Sequence, residues 1–214
     1  MKQTEIVLIL DRSGSMGGME SDTIGGFNAT ISAQKKLLEK ARVTTVLFDD
    51  QYEMLHDGVD LMQVPEMTEK QYYVRGSTAL LDAIGRTILH VAKRQRYAAV
   101  QERAERVLVV IITDGRENSS REYSGPQIRR MIEREQQKYH WEFLFLGANM
   151  DAVTEAGRYG ISADRAVRYH NDPRGVKLNY KAVSRAVCEL RQSGRISADW
   201  NTAIQKDFDS RNKQ

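Results

Sequence analysis

Three stretches of the chain are apolar without alternation: residues 6–10, 107–112 and 143–146. Uninterrupted runs of this length suit parallel strands covered on both faces by helices. Residues 43–48, rich in β-branched side chains, predict a fourth strand. Residues 52–59 are more mixed and follow a tight turn at Asp49-Asp50, which predicts an antiparallel edge partner. Residues 166–169 give a weaker sixth strand.

Between the strands the apolar period becomes helical. Ile24, Phe27, Ile31 and Leu38 predict a first helix running to about Lys40. Leu81, Ile84, Ile88 and Val91 predict a long second one persisting past Arg96. Ile128, Met131, Ile132 and Tyr139 mark a third, with Ser124 as its cap and Pro126 tolerated in the first turn. Val153, Ala156 and Tyr159 predict a short helix after Asp151, and Tyr180, Val183, Val187 and Leu190 a long last one. Strands alternating with helices predict an α/β fold: a doubly wound, mostly parallel six-stranded sheet, helices on both faces and one short antiparallel edge strand. Such sheets bind ligands beyond the carboxyl ends of their strands, where strand order reverses.

At 214 residues, with three prolines and no linker-like stretch, one domain over residues 1–193 is expected. Residues 194–214 then form an extension. Trp200, Ile204 and Phe208 recur there at helical intervals, giving a short docking helix or a loose tail. The single cysteine, Cys188, lies on an apolar helical stretch and reads as a small core residue. No leader or membrane span is evident, so a cytoplasmic protein is expected. The net charge of +3 is uneven: residues 165–214 carry 11 Lys/Arg against 5 Asp/Glu. Without aromatic or nucleic-acid-binding motifs, this surplus reads as a solvated helix face, and nucleic acid is disfavoured as a partner.

The chemistry gathers at strand ends. Asp11-Arg12-Ser13-Gly14-Ser15 follows the first strand, and Thr113-Asp114-Gly115 follows the strand at 107–112. Arg75-Gly76-Ser77-Thr78 opens the second long helix. Each residue alone is a good helix cap. Together, Asp11, Ser13, Ser15, Thr78 and Asp114 offer only oxygen, which suits a hard cation such as Mg²⁺, with Mn²⁺ or Ca²⁺ as alternatives. Two carboxylates attract the ion. Neutral hydroxyls leave it electron-poor, ready to take a carboxylate from another molecule.

The pattern Asp-x-Ser-x-Ser, then Thr, then Asp resembles the metal-ion-dependent adhesion site (MIDAS) of the von Willebrand factor A (VWA) family. The Gly-Ser-Thr-Ala-Leu-Leu-Asp-Ala-Ile run and the Thr-Asp-Gly turn strengthen the resemblance, which spans roughly residues 5–190. It implies a Rossmann-like sheet, coordination through Ser13, Ser15 and Thr78, and direct or water-mediated roles for Asp11 and Asp114. Within the family the chain resembles the small, stand-alone bacterial members.

Rival chemistries lack parts. Gly14, Gly17 and Gly18 follow a strand and Asp49 follows the next, but no nucleotide-binding glycine motif is present. A haloacid dehalogenase-type phosphatase needs a second acid where Ser13 stands. A serine hydrolase needs a positioned base, and His56, His90, His140 and His170 are each expected to be surface or capping residues. The expected function is therefore a non-catalytic module that engages an acidic side chain of a protein partner through Mg²⁺. The alternatives are a metal-dependent hydrolase or phosphatase-like enzyme, and a structural subunit docking through its basic C-terminal region. Tyr73, Arg75, Arg116, Glu117 and Asn118 are candidate partner contacts. Tyr72 is a rim or core residue, and Asn149 and Asp151 belong to the same rim. Gly25-Gly26 marks close packing of the first helix against the sheet.

Overall fold

A computed structural model describes residues 3–212, so the ends of the chain, including the last two residues of the C-terminal extension, lie outside the described residues. Six strands, β1 (Thr4–Asp11), β2 (Ala41–Phe48), β3 (Tyr52–Asp60), β4 (Arg106–Thr113), β5 (Glu142–Ala148) and β6 (Ala166–Tyr169), form one sheet in the order β3-β2-β1-β4-β5-β6. All pairings are parallel except that of β3 with β2. Strand order therefore reverses between β1 and β4, where the chain steps from one half of the sheet to the other.

The continuous apolar runs are explained by the two-sided cover. Along β1, Ile6, Leu8 and Leu10 enter the core shared with α1 (Glu20–Gln34) and α5 (Pro173–Ser193). Val7 and Ile9 enter the opposite core, with α2 (Leu80–Tyr97), α3 (Gly125–Tyr139) and α4 (Ala152–Arg158). Ser124 and Gln127 form the reciprocal capping box that starts α3, with proline in its first turn.

Several expectations are corrected. Helix α1 stops at Gln34 rather than near Lys40, and Leu38 is 94% exposed. Tyr139 and Val153 are also exposed, and Cys188 is only partly buried. His56 is not a surface residue: it is buried in β3 with its ring stacked on Phe27. Gly26 does mark close packing, but against α5 rather than the sheet: a Cβ there would lie 2.2 Å from Tyr180 Cδ2. The extension forms α6 (Thr202–Arg211), which packs on β6 and α5 with Trp200 and Ile204 buried. Among the described residues no helix is long and apolar enough to cross a membrane.

Candidate metal centre

The carboxyl ends of β1 and β4 lie side by side, so Asp11 and Asp114 emerge at the reversal point of the sheet. Asp11 is buried and immobilised: Oδ1 accepts from the Ser13 backbone N–H at 2.7 Å, and Oδ2 from Thr113 Oγ1 at 2.6 Å. Ser13 Oγ lies 3.1 Å from Ser15 Oγ, and Ser15 Oγ donates to Asp114 Oδ1 at 2.5 Å. Four of the five candidates thus form one connected polar cluster. Thr78 joins them across Gly115, where an added Cβ would lie 3.0 Å from Thr78 Oγ1 and 3.4 Å from Ser15 Oγ. Glycine keeps that space clear of side chain.

Backbone contacts sew the loops together. Gly14 N–H donates to Gly76 O, Arg75 N–H to Arg12 O and Ala79 N–H to Asp49 O. Thr78 lies two residues ahead of α2 in this sewn loop rather than in the helix. Tyr72 is a core residue whose hydroxyl donates to the Asp11 carbonyl at 2.6 Å, and burial holds its pKa well above the usual phenol value.

Burial shapes the electrostatics. Desolvation pushes the Asp11 pKa up to about 6, against the lowering effect of its hydrogen bonds from Ser13 and Thr113. Asp114 is also raised by burial, opposed by its bond from Ser15. Two carboxylates held close in a desolvated crevice favour a bound proton or a bound cation. Among the described residues no group of three His, Cys, Asp or Glu side chains clusters as a metal site, so a cation here depends on the hydroxyls. Two carboxylates, three hydroxyls and a Cβ-free space are a donor set that fits a hard divalent ion.

The candidate partner contacts divide. Tyr73 is exposed, with the guanidinium groups of Arg12 and Arg75 at 5.3 and 5.4 Å from its ring centre. Arg75 is partly exposed and pairs with Asp49 at 2.6 Å, while Arg116 is exposed. Glu117 is half-buried and engaged internally, whereas Asn118 is exposed while also bonded to the Thr78 loop. Glu117 accepts from the backbone N–H of Leu81, Ser119 and Ser120, and Asn118 Oδ1 accepts from Thr78 N–H. Asp151 caps α4 through the Thr154 N–H and hydroxyl, and Asn149 donates to the Asp114 carbonyl at 3.3 Å.

Two features escaped the sequence reading. Arg12 and Asp49 form a fully buried ion pair at 3.1 Å, with Arg12 also meeting Glu53 at 2.7 Å, so the Asp11–Ser15 loop is tied to the end of β2 and to β3. Asn171, from the loop after β6, donates to Asp114 Oδ2 at 2.6 Å. A charged residue between Asp11 and Ser13 was a visible signal for the first. Nothing near position 171 signalled the second.

The architecture is a doubly wound α/β fold with an oxygen-lined crevice at its reversal point. No protein-family model matches the sequence, and a search of curated proteins finds no relative. Solved structures place the fold. Proximal thread matrix protein 1 from the mussel byssus matches with TM-score 0.56 at 12% identity, over 86% of this chain and 45% of that one. The ArnB paralog VWA2 of Sulfolobus acidocaldarius gives 0.53 at 19% over 87% and 45%. A von Willebrand factor type A protein of Catenulispora acidiphila gives 0.55 at 14% over 86% and 42%. The fold is that of a von Willebrand factor type A domain, and the chain spans less than half the length of each of these proteins. The mussel protein has also been solved with a zinc-occupied MIDAS motif.

Proposed function

We propose that this domain is a non-catalytic protein-binding module that holds a divalent cation, Mg²⁺ in the first place, and engages an acidic side chain of a protein partner through it. The observation that carries the reading is the cluster in which Ser15 Oγ meets both Ser13 Oγ and Asp114 Oδ1, beside Asp11, at the reversal point of the sheet. The mussel protein's zinc-occupied motif on the same fold supports a cation at this place.

Asp11 and Asp114 supply the negative charge, and Ser13, Ser15 and Thr78 the neutral oxygens. When bound, the ion supplies a positive centre short of protein ligands, able to accept a carboxylate from outside. Gly115 keeps the approach to Thr78 and Ser15 open. Tyr72 and Asp49 anchor the Asp11–Ser15 loop, through the Asp11 carbonyl and the Arg12 guanidinium. Tyr73, Arg75 and Arg116 offer rim contacts, the arginines suited to a partner carboxylate.

The non-catalytic part of the reading rests on the hydroxyls' surroundings. Ser13 and Ser15 bond to each other and Ser15 to Asp114, while His90 pairs with Asp57 and His140 closes the end of α3. Titration calorimetry and thermal unfolding with Mg²⁺, Mn²⁺ or chelator test the proposal. The wild type is expected to bind and be stabilised, and Asp114→Ala to fold but lose the response. Absence of binding at millimolar Mg²⁺ and Mn²⁺ defeats the cation reading. Ester or phosphoester turnover lost in Ser13→Ala defeats the non-catalytic one.

A further inference from the structure

The loop between β6 and α5 brings a fourth chain segment to the crevice. Asn171 Nδ2 donates to Asp114 Oδ2 at 2.6 Å and to the Ser15 carbonyl at 3.2 Å. Both partners are acceptors, so the amide must present its nitrogen, and the orientation is set by chemistry. One side chain therefore ties the β4 loop to the β1 loop. It takes the Asp114 oxygen that Ser15 leaves free, so both oxygens of that carboxylate are fixed.

The same residue carries an anomaly. Asn171 Oδ1 is buried without a hydrogen-bond partner among the described residues. A buried orphan acceptor calls for a compensating reason, and a charge-assisted bond to Asp114 is such a reason. The neighbours of Asn171 are both anchored. His170 stacks on Phe208 of α6 at 4.6 Å, and Asp172 caps α5 through Gly175 N–H while pairing with Arg211. The loop is thus held at either side of Asn171.

We propose that Asn171 is a positioning residue of the cation site, setting the rotation of Asp114 and the spacing between the β1 and β4 loops. The proposal rests on the cation reading above. Asn171 orients a ligand and leaves coordination to the carboxylates and hydroxyls. Outer partners of metal ligands commonly contribute roughly 10- to 100-fold in affinity, which sets the expected size of the effect.

The test is Mg²⁺ titration calorimetry on the full chain, paired with the thermal midpoint in chelator. Asn171→Ala is expected to weaken Mg²⁺ binding roughly 10- to 100-fold while the metal-free midpoint moves little. Asn171→Leu keeps the γ-branched shape without the donor and should give the same loss, which guards against a loop collapse in the alanine variant. Asn171→Gln, which retains an amide, should bind closer to the wild type than either. Wild-type affinity in both the alanine and leucine variants overturns the proposal. So does a fall in the metal-free midpoint with Mg²⁺ affinity unchanged, which marks a purely structural residue. A wild type that fails to bind Mg²⁺ defeats the underlying cation reading instead, and this proposal with it.

Discussion

At the scale of the residue, Asp11 concentrates the tension of the site. Its folded-state pKa of about 6 lies above the ordinary aspartate value, so folding takes up a proton in the interval between them. The stabilisation is complete below about pH 4 and is lost as pH rises through about 6. A rise of this size corresponds to about 3 kcal/mol. The metal-free protein is therefore expected to lose stability from pH 4 to pH 7 on this account, and thermal unfolding in chelator across that range measures it. On the proposed cation reading Mg²⁺ would compete with the same proton, so its stabilising effect should be small at pH 5 and full at pH 7.5. Asp11→Asn, which removes the charge and keeps the shape, should flatten the profile and abolish the Mg²⁺ effect. A profile unchanged in that variant would remove Asp11 as the origin. The five oxygen-bearing residues were legible because their types are rare together at strand ends. Arg12 and Asp49 were less so, because a buried ion pair between sequence-distant residues leaves no periodic trace. Asn171 was invisible: a single amide in a loop gains meaning only from what lies across from it.

At the scale of the element, adjacent glycines on α1 give opposite predictions. Replacing Gly25 by alanine meets nothing within 4 Å, so the helix gains backbone preference alone, about 0.5–1 kcal/mol. Replacing Gly26 by alanine drives the new methyl into the Tyr180 ring, whose Cδ2, Cγ and Cβ would all lie under 3 Å away. Tyr180 is itself buried, and because its Cβ is among the crowded atoms a change of rotamer alone does not relieve the contact. Overpacking of this kind costs about 1–3 kcal/mol, enough to reverse the helical gain. Urea unfolding of the two variants should shift in opposite directions, and a stabilised Gly26→Ala would show that α1 and α5 separate easily. The strands were legible at this scale because two-sided burial writes itself as continuous apolar sequence. The end of α1 was not. Leu38 continues the apolar period at residue level, yet the chain turns at Lys35 and leaves that side chain in solvent. Periodicity records which positions are apolar, and tertiary contact decides which of them are covered.

At the scale of the molecule, six of the eleven Lys and Arg residues of the basic C-terminal region make internal contacts, while Lys177, Lys181, Arg195 and Lys206 stand exposed. Arg165 pairs with Glu142, Arg174 with Asp207, Arg185 with Glu189 and Asp199, and Arg211 with Asp172 and Asp207. Arg191 is buried, donating to the carbonyls of Gln34 and Glu39, and Arg168 covers the Phe208 ring. These arginines tie α5 and α6 to the rest of the chain. Trp200 is the hydrophobic counterpart: 1% exposed, its Nε1 donates to the Asp164 carbonyl at 2.8 Å, and it shares a core with Ile204, β6 and α5. Truncating a buried tryptophan costs about 3–5 kcal/mol, and here the cost should fall on the whole fold. Trp200→Ala is therefore expected to move a single cooperative urea transition to lower denaturant with its slope preserved. A separate early step, with the main transition unmoved, would instead make α6 an appendage that melts alone. The distinction reaches the proposed cation site, since Phe208 and Arg211 of α6 anchor the residues on either side of Asn171. Loosening α6 by Trp200→Ala should thus weaken Mg²⁺ binding as well as stability, and unchanged Mg²⁺ affinity in that variant would confine α6 to a purely stabilising role.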